Sequence, residues 1–244
     1  MKPLPICFFT HKRTKLARYV IKSLKDNLSA DGYVPAFILC HDGSCKEHVD
    51  ALKKEAGDWI YAITDSEHRG LGASMNLGIE KALSISDVFL RMEDDWILQR
   101  PLEVGPWVDF MKKDSVGVIR MGMMFRDRDE LEPYGPEELG LLRMRPHQNR
   151  TYNVNNQVAL VHEQVHHLCG KYRENCTAQA SERDFADKFN MVTSNCVASP
   201  WVCWPKGWAT KTYDAKSLGF VHAGKSTLGH SQYSVPERYK WLNR

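Results

Sequence analysis

Val88-Phe89-Leu90-Arg91-Met92-Glu93-Asp94-Asp95 is an apolar run that ends abruptly in three acids. A run this short and this apolar suits a buried strand. Three adjacent carboxylates at a strand end repel each other, which is costly unless a cation or a positively charged partner compensates them. Hard divalent cations such as Mg²⁺ or Mn²⁺ take carboxylate oxygens and often share them with substrate phosphates. A solvated acidic turn is the competing explanation of an isolated triplet, so the flanking sequence has to discriminate.

Upstream, Pro5-Ile6-Cys7-Phe8-Phe9-Thr10 reads as a buried strand. Leu16, Val20, Leu24 and Leu28 follow at four-residue spacing and predict a helix. Positions 34–40 predict a second strand, which ends in His41-Asp42-Gly43-Ser44. A helix over 45–56 and a third strand over 59–64 come next. Leu71, Met75, Ile79 and Leu83 line one helical face before the acid-tipped fourth strand, and 116–121 predict a fifth. Strands alternating with helices imply βαβ units. The expected class is α/β, with a mixed, mainly parallel central sheet flanked by helices. Such sheets bind ligands at the carboxyl ends of their strands, and Thr10, Asp42 and Glu93-Asp94-Asp95 all fall at such ends. Residues 125–155 lose the period and read as a long excursion, often a binding loop. A strand resumes at 158–161, and Ser181 is expected to cap a helix over 181–189.

Composition narrows the function classes. At 244 residues the chain is long enough for one large domain, and 43% hydrophobic against 26% charged residues excludes disorder. A net charge of +3 is short of a dedicated nucleic-acid footprint. No apolar run approaches the ~20 residues that span a bilayer, and the start lacks a signal-peptide layout. A cytoplasmic location is expected on that ground. Seven cysteines without a CxxC pair fit buried free thiols.

Three more segments carry polar chemistry. His68-Arg69-Gly70-Leu71-Gly72-Ala73-Ser74-Met75-Asn76-Leu77-Gly78 opens a helix with small residues, which lets backbone approach a ligand or another element closely. Ser181-Glu182-Arg183-Asp184 places carboxylates at a helix start, where one of them can act as a general base for a hydroxyl. Phe220-Val221-His222-Ala223-Gly224-Lys225 offers an imidazole for a metal and a cation for phosphate.

In this order the motifs resemble those of the GT-A glycosyltransferases, particularly the family 2 type. The resemblance spans residues 6–225. It rests on Thr10 at the first strand end, Asp42-Gly43-Ser44 at the second and the Asn76/Gly78 pair in the Gly-rich helix. The acidic metal motif Glu93-Asp94-Asp95, the acids Glu182 and Asp184, and a late His222 complete it. Those enzymes usually carry Asp-x-Asp where this chain has Glu first. The resemblance implies a single domain over 1–230, with a nucleotide-sugar-binding half over 1–123, an acceptor-binding half over 124–230, and a polar tail over 231–244. It implies transfer of a hexosyl or pentosyl group from a nucleoside-diphosphate sugar, with UDP the expected nucleotide, to an acceptor hydroxyl with inversion. Thr10, Asp42, Arg69, Asn76 and Asp94 would hold the nucleotide sugar. Asp95 and His222 would hold Mn²⁺ or Mg²⁺, and Glu182 or Asp184 would be the base. The acceptor, whether glycan, small molecule or modified DNA, stays open.

Two rival patterns exist. His162-Glu163-Gln164-Val165-His166 matches the H-E-x-x-H zinc-protease motif. That motif needs both histidines on one helical face, whereas Val158-Ala159-Leu160-Val161 predicts a strand running into it. Arg120, Arg126, Arg128, Arg143, Arg145 and Arg150 lie near Phe125, Tyr134 and Tyr152, as a DNA-contacting segment would. Asp127, Asp129, Glu130, Glu132, Glu137 and Glu138 offset that charge. Trp201, Trp204 and Trp208 suit either carbohydrate contact or packing.

Overall fold

The computed structural model describes residues 1–114, 116–121, 131–144, 157–194, 202–205 and 219–223. The first half follows the strand and helix alternation that the sequence predicts. β1 (Lys2–Thr10) leads to α1 (Thr14–Asn27), a short β2 (Leu28–Ser29) and β3 (Tyr33–His41). α2 (Lys46–Ala56), β4 (Ile60–Asp65), α3 (Leu71–Leu83) and β5 (Val88–Glu93) follow. After the acids come β6 (Trp96–Leu98), β7 (Leu102–Glu103), α4 (Gly105–Asp114) and β8 (Val118–Arg120).

In the second half, β9 (Leu131–Tyr134) and β10 (Leu141–Met144) lie within the stretch expected to be aperiodic. They pair antiparallel and form one edge of the sheet. Glu132, Pro133 and Arg143 break up their apolar runs, so neither shows as a buried strand in sequence. β11 (Ala159–His162), α5 (Glu163–Cys169), α6 (Ala178–Ser194), β12 (Val202–Pro205) and β13 (Phe220–His222) complete the described chain.

One nine-stranded sheet has the order β4-β3-β1-β5-β11-β8-β12-β10-β9. β4, β3, β1 and β5 are mutually parallel. β11 runs antiparallel between β5 and β8, and β12 is parallel to β8. The sheet is therefore mixed, with its parallel part built by the first half of the chain.

The core alternates along each strand, as a sheet covered on both faces requires. Ile6, Phe8, Leu39, Leu90 and Met92 pack with Leu16, Val20, Leu24 and Val108 from α1 and α4. Cys7, Phe9, Ile38, Cys40 and Phe89 pack with Met75, Ile79, Val165, Phe185 and Phe189 from α3, α5 and α6. α3 sits unusually close to its neighbours. A Cβ at Gly78 would lie 2.5 Å from Cys40 Sγ, and one at Gly72 would run into the Arg173 carbonyl and come 2.5 Å from Ser181 Oγ. The small residues of the Gly-rich helix thus serve close packing at these two positions.

α6 begins three residues before the expected start. The cap is Thr177, whose Oγ1 accepts from the Ala180 amide at 3.2 Å, while the Ser181 amide already donates to the Thr177 carbonyl at 3.0 Å. Ser181 is inside the helix and buried. The expected positions 231–244 of a polar tail lie outside the described residues.

Candidate active site

The register of the parallel strands sets their carboxyl ends side by side. Thr10 pairs with His41, His41 with Asp65, and Phe9 with Glu93. Each strand then turns into a loop, and these loops enclose a cleft of about 310 Å³ lined by Phe9, Thr10, His11, Arg13, Asp42, Leu71, Ser74, Glu93 and Ala178.

Of the three acids, Glu93 lines this cleft, and Asp94 and Asp95 follow it at the end of β5. Asp94 is fully buried and Asp95 is 5% exposed. Thr10 Oγ1 donates to Asp94 Oδ2 at 2.7 Å, and the His11 amide donates to the same oxygen at 3.4 Å. Arg13, at the start of α1, sends its guanidinium back across the cleft. It pairs with Asp94 Oδ1 through Nη2 and donates to Asp95 Oδ2 through Nη1 at 2.7 Å. His222 Nε2 lies 3.3 Å from that same Asp95 Oδ2. Asp95 Oδ1 is buried and makes no hydrogen bond.

His222 arrives by a route outside the main sheet. β13 pairs antiparallel with β6, directly after the acids, so that His222 faces Trp96. The Ala223 amide donates to the Asp95 carbonyl at 2.7 Å. A side chain more than 120 positions downstream is thereby clamped to the acidic turn.

Burial and mutual repulsion separate the three carboxyls. Burial pushes Glu93 well up, and Asp95, Glu182 and Asp94 push it further, with Arg13 opposing. Burial also lifts Asp94 to about 6, against the pull of Arg13 and with the push of Asp95. Asp95 is held at about 2 despite its burial, because His222 and Arg13 favour its charged form.

Behind Thr10 stands His48, 2% exposed on α2. Thr10 spends its proton on Asp94, so its oxygen accepts from His48 Nε2 at 3.1 Å. The other ring nitrogen then accepts from Thr14 Oγ1 at 2.7 Å. Burial lowers the His48 pKa, with His41 and His11 adding to it, in keeping with a neutral ring.

Asp42 is fastened at the cleft wall. Its Oδ1 accepts from Ser66 Oγ at 2.7 Å and from the Gly70 amide at 3.2 Å. The turn supplying both groups has Glu67, His68 and Gly70 at positive φ, a conformation that favours glycine. The His68 ring covers Gly43, leaving no room there for a side chain.

The structure thus brings Thr10, Asp42, Asp94, Asp95 and His222 together near the carboxyl ends of the parallel strands. Asn76 is bonded within the protein. Its amide donates to the Tyr172 carbonyl at 3.0 Å and to Glu174 Oε1 at 2.8 Å, and its oxygen accepts from the Tyr172 amide at 2.8 Å. Asn76 is a fastener between α3 and the segment before α6. Arg69 belongs to the same fastening, donating to the Ser66 carbonyl at 3.1 Å and to Glu174 at 3.2 Å.

The two α6 acids are also distinguished. Glu182 acts electrostatically on Glu93 and on Tyr172. Asp184 pairs with Lys188 of its own helix at 2.7 Å. The segment is supported by buried aromatics: Tyr172 stacks on Phe185 with ring centroids 4.0 Å apart, and Tyr172 Oη accepts from Arg91 at 2.8 Å.

Sequence reading gave no role to Arg13, His48 or the Arg91–Tyr172 pair. Arg13 had one available signal, a cation three residues beyond a strand-end Thr in a chain with an acidic triplet. His48 had none, since only the packing of α2 against α1 and β3 brings it to Thr10.

The zinc-protease pattern is corrected by the structure. His162 is the last residue of β11 and the cap of α5, its Nδ1 accepting from the Gln164 amide at 3.2 Å. His166 lies on the helix among Phe89, Tyr172 and Phe185. The two rings share no helical face. Among the described residues no group of three or more His, Cys, Asp or Glu side chains is placed to hold a metal alone. Of the arginines proposed to touch DNA, Arg120 donates to Gln157 and Arg143 pairs with Glu132. Arg126, Arg128, Arg145 and Arg150, and also Trp201 and Trp208, lie outside the described residues. Among the described residues no helix is long and apolar enough to cross a membrane.

No protein-family model matches the chain, and no curated protein sequence does. Solved structures do. S. aureus TarS 1–349 in complex with UDP-GlcNAc superposes with a TM-score of 0.59 at 13% identity, covering 86% of this chain and 57% of that one. The mannosyltransferase PcManGT from Pyrobaculum calidifontis, in complex with GDP-Man and Mn²⁺, gives 0.53 at 12%, covering 84% and 57%. Glucosyl-3-phosphoglycerate synthase from Mycobacterium tuberculosis, with Mn²⁺, UDP-glucose and glycerol 3-phosphate, gives 0.53 at 12%, covering 92% and 73%. The fold is GT-A, that of these glycosyltransferases. This chain spans little more than half the length of the TarS and PcManGT chains.

Proposed function

We propose that this protein is a metal-dependent glycosyltransferase of the GT-A class, of the family 2 type. It would move a sugar from a nucleoside-diphosphate sugar, with UDP the expected nucleotide, to an acceptor hydroxyl. The observation that carries the reading is Asp95. Its carboxylate is ionised, buried and only half satisfied, at the carboxyl end of a GT-A sheet with an imidazole beside it. One carboxylate and one imidazole fit Mn²⁺ or Mg²⁺, with diphosphate oxygens and water as the remaining ligands. When bound, the ion supplies Lewis-acid stabilisation of the leaving diphosphate.

The chain's own residues would do the rest. Thr10 and Asp42 line the nucleoside side of the cleft. Asp94, locked by Thr10 and Arg13, faces the ribose or donor sugar. Glu182 is preferred over Asp184 as the base, because it acts electrostatically on Glu93 while Asp184 is paired on its own helix. Glu182 takes the proton of the acceptor hydroxyl, whose oxygen attacks the anomeric carbon. The bond to the diphosphate oxygen breaks on the opposite face, with inversion.

Thermal unfolding with a panel of nucleoside diphosphates, each with and without Mn²⁺, tests this. A ligand at about 100 times its dissociation constant stabilises by roughly 2.7 kcal/mol. A shift with one nucleotide that needs Mn²⁺ and vanishes in Asp95→Asn is the expected result. Absence of any nucleotide shift refutes the reading.

A further inference from the structure

The oxygen of Asp95 that faces His222 is the one that Arg13 already holds. Asp95 Oδ2 has His222 Nε2 at 3.3 Å on one side and Arg13 Nη1 at 2.7 Å on the other. The second arm of the same guanidinium reaches Asp94. A divalent ion drawing on both Asp95 Oδ2 and His222 adds a second cation to the oxygen that the guanidinium already holds. Two cations cannot share it in so buried a setting without strong repulsion.

We propose that Arg13 is the built-in counter-cation of this acidic site, and that the divalent ion binds by displacing it. The inference rests on the reading that Asp95 takes a divalent ion. Three further observations favour displacement over a fixed structural pair. Arg13 is 42% exposed at the side chain, so it can leave toward solvent. It stands at the start of α1 and caps the helix through its carbonyl, not its side chain, so the guanidinium can move without breaking a helix bond. It also lines the cleft, where an incoming diphosphate offers its guanidinium new anionic partners. Asp94 keeps the Thr10 hydroxyl and the His11 amide when Arg13 departs. Arg13 therefore sets the metal affinity of the nucleotide-free protein, keeping it low until the donor arrives.

The test is Mn²⁺ affinity of the nucleotide-free protein, read from the free-ion electron paramagnetic resonance signal and requiring no turnover. Wild type, Arg13→Lys, Arg13→Gln and Arg13→Gln combined with Asp95→Asn are compared, with cooperative urea unfolding as the check of folding. Arg13→Gln is expected to bind Mn²⁺ at least ~10-fold more tightly than wild type. Arg13→Lys falls between them, since an ammonium keeps the charge without the fork that spans two carboxylates. The double variant loses the gain, which places the ion at Asp95. If wild type and Arg13→Gln bind Mn²⁺ alike, or Arg13→Gln binds less tightly while folded, the displacement is refuted and the metal reading stands. If no variant binds Mn²⁺ with or without a nucleoside diphosphate, both fall together.

Discussion

Replacing Asp94 by Asn should make the metal-free protein more stable at neutral pH, though it removes an ion pair. The Asp94 carboxyl is held near 6 against an ordinary value of 3.8, and that value already includes the attraction of Arg13. Ionising it in the folded state therefore costs about 3 kcal/mol more than in the unfolded chain. The amide sheds that cost and still offers an oxygen to Thr10. Its NH₂ group faces the guanidinium poorly, which takes back part of the gain. A net stabilisation of about 1–3 kcal/mol at pH 7.5 is expected, or roughly 2–4 °C in melting temperature per kcal/mol for a domain of this size. The sign follows from linkage. A carboxyl whose folded pKa is raised binds more protons in the folded state, so wild type loses stability as pH rises from about 4 through 6. The gap between variant and wild type must then close as pH falls to about 4. Urea unfolding in chelator-containing buffer at pH 7.5 and 4.5 reads both ends. A variant no more stable than wild type at pH 7.5, or a gap that does not depend on pH, refutes the reasoning.

Other perturbations give separate outcomes. Glu182→Gln should lower turnover by about 10²–10⁴-fold with donor-induced thermal shifts retained, whereas Asp184→Asn should cost only a few-fold; equal losses in a steady-state assay would refute the choice of base. Gly72→Ala puts a methyl against the Arg173 carbonyl and should destabilise by about 1–3 kcal/mol or more, measured by urea unfolding, because backbone cannot yield as a flexible side chain can. His166 is held neutral down to about 3, by burial first and Arg91 second. Its contribution is complete above its ordinary 6.5 and is lost as pH falls from there toward 3, so His166→Phe should flatten the loss of stability between pH 7 and 5 seen by chemical unfolding.

The parallel half of the fold was legible in the sequence because its signals are local. Apolar runs such as Cys7-Phe8-Phe9 and Phe89-Leu90-Arg91-Met92 alternate with helical spacings such as Leu16, Val20 and Leu24, and each is read within a dozen residues. The acid-tipped β5 and the strand-end Thr10 and Asp42 were legible for the same reason, since a parallel sheet gathers the carboxyl ends of its strands by construction. The edge strands β9 and β10 were not, because Glu132, Pro133 and Arg143 interrupt their apolar runs. Which small or polar residue serves packing and which serves the cleft was decided only by tertiary structure. That the Asn76 amide bonds to Tyr172 and Glu174, nearly a hundred positions away, is visible only in the folded chain. The H-E-x-x-H match dissolved because the β11–α5 junction falls between its first two residues. Sequence alone determined that a carboxylate cluster ends a buried strand and needs a cation. Only the chain's return through β13, and the swing of Arg13 across the cleft, decided which groups meet it. Charges so far apart along the chain can be neighbours only when the backbone between them is folded.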